Sequence, residues 1–321
     1  MAKPLSYDVH DAEFSSLNAK FYLGSPHAYF ERRLKSLAIA IGDGREFDDL
    51  LRAGVSYGDF SMKSDDNDAD QGPSDQKDVD DYAAVESAVL LHHTAEATLR
   101  LYLAHANRNP CPWLEIAKLT NFREFKQRIA ALAESLGDDE VLDDLAEVFS
   151  YRATPEFILG GDPTAMWKDH RAGLRDLISE VIRIILDDAH IYNAAKHGMA
   201  IVSSDLGLSI GDGEDGGPLI HQKGPVLTFL ELNQVSDSEK YWHQTSAWVD
   251  PTKSMAIAFL LIKLMDSLWR SAKVHFYIET ASTLPYLLDS NQISDLLRMH
   301  AKPGFNLNRM SERLHAPDSV T

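Results

Sequence analysis

Three long stretches in which apolar residues return at helical spacing constrain this chain more than anything else in it. Over residues 80–107, Val85, Val89, Leu90, Ala97, Leu101 and Ala104 fall on one side of a run of good helix formers. Residues 167–197 place Leu174, Ile178, Val181, Ile185 and Tyr192 on one face at 100° per residue. Residues 252–276 keep Ala256, Phe259, Leu260, Lys263, Leu264, Leu268 and Trp269 in register, after an Asp250-Pro251 start suited to a first helical turn. Helices of this length are stabilised by packing their apolar stripes, so the chain is expected to be mainly α, an antiparallel helical bundle. Shorter helical patterns follow the first long one, at 113–119, 121–136 and 138–151. Asn121 and Asp138 are their N-cap candidates, Gly137 is the intervening C-cap, and Pro110 and Pro112 close the helix before them.

Between the second and third long helices the period changes. Residues 199–203, 206–210, 225–232 and 240–249 are rich in β-branched and aromatic residues, and a small antiparallel β insertion at about 199–249 is expected before the last long helix. Residues 1–60 read as an N-terminal helical appendage and 61–81 as an acidic disordered linker, because its centre cannot bury apolar area. Residues 82–276 then form the main domain, and 277–321 a C-terminal extension with a short helix at 292–300 and a tail.

The formal charge of −18 is concentrated in a few places. Residues 61–81 carry eight acids against Lys63 and Lys77, residues 138–147 six acids and no base, and residues 205–215 four acids, which leaves about −2 for the rest. Extended duplex DNA, which requires a broad basic face, is not an expected partner; a local phosphate site remains compatible. Asp8, Asp11 and Glu13 and the absence of an early apolar run argue against a secretory signal. The longest clean apolar run, residues 255–262, falls far short of the roughly 20 residues that span a bilayer. Cys111 is the single cysteine, so no intrachain disulfide and no thiolate cluster can form, and a cytoplasmic location is expected.

Candidate chemistry gathers at Tyr192-Asn193-Ala194-Ala195-Lys196-His197-Gly198, the end of the second long helix. On a regular helix His197 lies off the core face, with His190, Asn193 and Arg183 within about 40° of it. Asn193, one turn back, can orient the imidazole, and the helix C-terminus favours its protonated form. Lys196 on the same helix would lean toward the core side. The same residues also make an ordinary helix end, with Lys and His in the last turn followed by Gly. No metal and no cofactor are expected. His190 and His197 lie about 10.5 Å apart along a straight helix, the Asp187–His190 and Glu312–His315 spacings lack partner pairs, and His92 and His93 point about 100° apart. Glu96 and Arg100 are spaced as an ion pair, and Cys111, between two prolines, reads as a packing residue.

The order of elements resembles a HEPN-type helical domain over about 80–198 plus the closing helix. The resemblance lies in the Glu-bearing helix at 86–105, the Pro112-Trp113-Leu114-Glu115-Ile116-Ala117-Lys118-Leu119 run after it, and a later helix ending near the family's R-N-x-x-x-H, read here as Tyr192-Asn193-x-x-Lys196-His197. The family's active members are metal-independent ribonucleases, usually dimers, that act on RNA through paired Arg and His. The resemblance implies His197 as general acid/base, Asn193 as the accompanying polar residue, and Lys196 as the nearest substitute cation. It also implies RNA or a nucleotide as ligand and a homodimer as assembly. Tyr192 stands where the arginine should be and offers no cation to a phosphorane-like transition state. The expected function is therefore a catalytically degenerate HEPN-like module that binds a nucleotide, RNA or protein partner in a helical cleft. The alternative is a defence- or toxin-type endoribonuclease using His197.

Overall fold

In the computed structural model the described residues are 9–42, 53–62, 76–150, 162–196, 200–210, 220–236, 239–276, 285–299 and 309–314. His197, the centre of the acidic linker and the glycine-rich turn at 211–217 lie outside them. The chain is mainly α, with an antiparallel sheet inserted before the last long helix. In order, the helices are α1 (Phe14–Phe21), α2 (Pro26–Gly42), α3 (Gln76–His105), α4 (Pro112–Lys118), α5 (Phe122–Ser135), α6 (Asp139–Phe149), α7 (Pro163–Asp187), α8 (Ala189–Ala195), α9 (Pro251–His275) and α10 (Ser290–Leu297). The strands are β1 (Val55–Tyr57), β2 (Phe60–Met62), β3 (Ile201–Ile210), β4 (Ile220–Ser236), β5 (Glu239–Trp248) and β6 (Arg309–Arg313).

Local chemistry sets several boundaries. The Asn121 carboxamide accepts the N–H groups of Arg123 at 3.0 Å and Glu124 at 3.4 Å, capping α5. Asp250 accepts the Lys253 N–H at 3.0 Å at the start of α9, next to Pro251. After α3 a single 3-10 turn, Ala106–Arg108, ends with Arg108 in the left-handed region at φ 56°. Gly137 keeps ordinary φ, so the glycine C-cap expected there is absent; the turn closes through an Asp138 N–H to Ser135 carbonyl bond of 3.0 Å.

Four differences from the sequence expectation matter. The second long helix is broken at Asp188 (φ −98°, ψ 10°), which starts the separate helix α8. Two short expected strands are one, β3, and β4 is longer than expected. The expected tail contributes β6, paired antiparallel with β5. Residues 55–62, next to and partly within the expected linker, form a hairpin, and α3 already begins at Gln76. Gly58 at φ 56° opens its two-residue turn, a conformation that L side chains resist.

The chain divides into two compact units interleaved in sequence. One comprises Met1–Glu31, His93–Leu186 and Phe259–Leu297, and the other Arg32–His92, Asp187–Ala258 and Arg298–Thr321.

In the first unit, Leu99, Phe125, Ile129, Leu145, Phe149, Leu174, Leu177 and Trp269 are fully buried. The Tyr22 ring packs on Trp269 at 4.8 Å and Phe276 at 5.3 Å, and the Trp269 indole N–H donates to the Gly24 carbonyl at 2.8 Å. Arg100 pairs with Glu96 at 2.7 Å, donates to the Leu119 carbonyl, and lies 4.3 Å above the Phe125 ring. One guanidinium thereby joins α3 to α5 and to the residue that ends α4. Cys111 is buried and makes no disulfide, in keeping with a packing role.

In the second unit, β3, β4, β5 and β6 form one antiparallel sheet in that order. Ile201, Leu227, Phe229 and Ala247 share a sheet face and pack with Ala84 and Val89 of α3 and with Ala194 and Ala195 of α8. Helix α8, which starts after the break at Asp188, covers that face. Its alanines are buried and its polar residues are left at the margin.

Candidate functional site

The polar tip of α8 follows from how that short helix is seated. Ala189, Ala194 and Ala195 are buried, Tyr192 is half-buried, and Asn193 and Lys196 are exposed. Lys196 is the C-cap residue, its N–H bonded to the Tyr192 carbonyl at 2.9 Å. Its side chain is solvent-exposed and does not lean to the core, because the expected regular helix is interrupted eight residues earlier. Its ammonium donates to the Asn193 carboxamide oxygen at 3.1 Å and lies 5.4 Å from the centre of the Tyr192 ring. Asn193 and Lys196 are thus brought together, while His197 falls outside the described residues. Arg183, placed near His197 on an unbroken helix, belongs to α7 and pairs with Glu180 at 2.8 Å.

Tyr192 occupies the position where the resemblance calls for arginine. Its ring stacks on the buried His92 of α3, with centroids 4.0 Å apart and planes 7° from parallel. The phenol face joins the apolar cluster that seats α8 on the sheet. His92 and His93 differ as expected: the first is buried and the second half-buried. Glu96 is committed to Arg100.

Sequence reasoning missed a second polar cluster, on the same sheet face beyond the apolar part. The Glu231 carboxylate accepts the Thr245 hydroxyl at 2.8 Å and a hydrogen bond from Arg309, with His190 of α8 at 3.8 Å. Burial pushes this carboxyl up, but hydrogen bonds from Thr245 and Arg309 outweigh it, and the group sits below its ordinary range. Thr245 and Ser311 hydroxyls meet at 2.8 Å. One row further along, Glu231, His243 and Arg313 are direct cross-strand partners, and the Arg313 guanidinium lies 3.1 Å above the Tyr241 ring. The only sequence signal was the tyrosine and histidine alternating along β5; β6 itself is too short and polar to declare its pairing.

A third polar group belongs to the first unit. The Tyr22 hydroxyl meets His105 Nε2 at 2.6 Å, and His105 Nδ1 meets the Leu101 carbonyl at 2.7 Å. Because a carbonyl only accepts, Nδ1 carries the proton and Nε2 accepts from the phenol. His105 is also at the edge of a shallow cleft with Arg108, Asp144, Glu147, His275 and Phe276. Among the described residues no three His, Cys, Asp or Glu side chains converge as a metal ion would need. Likewise, no helix among them is long and apolar enough to cross a membrane.

Comparison with protein-family models, with curated proteins and with solved structures found no match.

Proposed function

We propose that the chain is a HEPN-like helical module that binds a phosphate-bearing ligand, RNA or a nucleotide, at the tip of α8 without cleaving it. The carrying observation is the Tyr192 ring stacked on buried His92 at 4.0 Å, in the place where a catalytic arginine would stand. An aromatic ring held in an apolar cluster cannot neutralise charge that develops on a phosphorane oxygen. What the tip retains is suited to recognition: an exposed ammonium, and an exposed carboxamide able to donate through its nitrogen while its oxygen holds Lys196.

A second reading has one observation in its favour. Lys196 faces solvent and so supplies a cation close to the motif, and a metal-independent endoribonuclease would use His197 as general acid/base beside it. Incubating the purified protein with RNA in EDTA, alongside a His197→Ala variant, separates the two. The binding module predicts RNA or nucleotide affinity, weakened by Lys196→Gln, with the RNA left intact in both proteins. Cleavage that resists EDTA and disappears with His197→Ala would overturn it in favour of the nuclease. Measuring mass in solution with and without RNA tests the homodimer that the family resemblance implies.

A further inference from the structure

An exposed cation rests on an aromatic ring at the margin of the sheet in the second unit. On the sheet of the second unit, the face that α8 covers with Ala194 and Ala195 continues past α8 as Glu231, Tyr241, His243 and Arg313. Tyr241 and His243 are half-buried and Arg313 is exposed. The Arg313 guanidinium carbon lies 3.1 Å from the centre of the Tyr241 ring, so an exposed planar cation rests on an aromatic base. The exposed side of α8 reaches this surface: Lys196 bonds Asn193, His190 lies one turn back, and His190 approaches Glu231 at 3.8 Å. Glu231 is already satisfied by Thr245 and Arg309. Among the described residues, neither Arg313 nor Lys196 is in an ion pair. Lys196 of α8 and Arg313 of β6 therefore offer two cations outside ion pairs on a chain whose formal charge is −18.

We infer that this surface, running from Lys196 along α8 to Arg313 and Tyr241, binds an unpaired nucleic-acid strand, with phosphates on Lys196 and Arg313 and a base stacked on the guanidinium plane. The inference rests on the binding reading above and specifies its ligand and contact surface. A duplex does not fit, because its bases are already stacked and its backbone requires a broader cationic face. An acidic peptide would use the cations but gain nothing from the plane. Stacking on arginine or aromatic faces accepts any base, so RNA and DNA strands share this chemistry, and the 2′-hydroxyl distinguishes them only if Asn193 reads it.

Fluorescence anisotropy with a short labelled single strand, uridine-only RNA or thymidine-only DNA, tests this on the full chain. With two phosphate contacts, the logarithm of affinity should fall with the logarithm of salt at a slope of about −1.4, and at about −0.7 in Arg313→Gln or Lys196→Gln. Arg313→Lys keeps the charge but loses the plane, so its slope should hold while affinity drops roughly tenfold. Tyr241→Leu, which removes the aromatic base, should also weaken binding while leaving the slope. Several results would overturn the inference: full affinity in both Arg313→Lys and Tyr241→Leu, equal affinity for a duplex, or equal competition by polyglutamate. If Lys196→Gln alone weakens binding, the α8 reading stands and the sheet surface falls. If the unmodified chain binds neither strand nor mononucleotide, both fall.

Discussion

Two histidines are held neutral by burial and by their partners. His170 is buried; the Leu288 N–H donates to its Nδ1 at 2.9 Å, so its proton is on Nε2, facing the Ser150 hydroxyl at 3.1 Å. His105 has the opposite tautomer, with Nδ1–H on the Leu101 carbonyl and Nε2 accepting from Tyr22. Burial away from water penalises the charged ring and lowers both from 6.5 to about 4. The folded chain therefore binds fewer protons than the unfolded chain between those values. The associated stability is complete above about pH 6.5 and is lost as pH falls toward 4. Acidification through that range therefore costs the fold on the order of a few kcal/mol per ring, at ~1.4 kcal/mol for each pH unit. Denaturant titrations at pH 7 and pH 5 should show the loss. A His170→Gln variant should flatten that pH dependence, and an unchanged slope would exclude His170 as its source.

At the scale of elements, packing decided what periodicity could not. The 3.6-residue repeat located α3, α7 and α9, but only α7 buries the stripe it marked, Leu174, Ile178, Val181 and Ile185. In α3 four successive residues, Val89 to His92, are buried, and in α9 Phe259 is exposed while Ile257, Leu261 and Met265 are buried. The same repeat ran through Asp188 without a signal, since the break there serves the sheet that α8 covers. The candidate tip was legible as far as Asn193 and Lys196; the exposure of Lys196 was not, because it depends on that break. β6 was illegible for another reason: Arg309, Ser311 and Arg313 look like a polar tail until Glu231, Thr245 and Tyr241 are placed opposite them. The β1–β2 hairpin could have been found, because Val55, Tyr57, Phe60 and Met62 alternate with polar residues around Gly58-Asp59. In α7, Gly173 is needed for close approach. A Cβ there would lie 3.1 Å from Leu288 Cβ and 3.5 Å from the Ser290 Cα. Leu288 is buried and its N–H is fixed on His170, while Asp169 holds Ser290 through its N–H at 3.1 Å and its hydroxyl. Gly173→Ala should therefore lower stability by roughly 1 kcal/mol, overpacking outweighing the helix-propensity gain. Urea unfolding would check this, and a stabilised variant would mean that the 285–290 segment yields.

For the whole molecule, the net charge of −18 says little about where the charges lie. The acids were readable as blocks in the sequence. The cations of the α8 and sheet surface come from positions 196 and 313, which only the fold relates. The two-unit division was equally hidden, because each unit draws on segments far apart in the chain. One test belongs at this scale. Removing the chain from residue 305 onward takes away Arg309, Ser311 and Arg313, and leaves the Glu231 carboxylate without its guanidinium. The expected outcome is a lower midpoint of thermal unfolding, since a carboxylate deprived of its partner and largely shielded from water is destabilising. An unchanged midpoint would mean that β6 adds nothing to the sheet.

The place of β6 also bears on how the protein is made. A ribosome delivers β3, β4 and β5 together but withholds their last neighbour until residues 309–313 have emerged. Meanwhile β5 presents an open row of backbone donors and acceptors to any strand nearby. Translation of the 60 residues between Trp248 and Arg309 lasts several seconds at ordinary elongation rates, and for that interval the nascent sheet has an unguarded border.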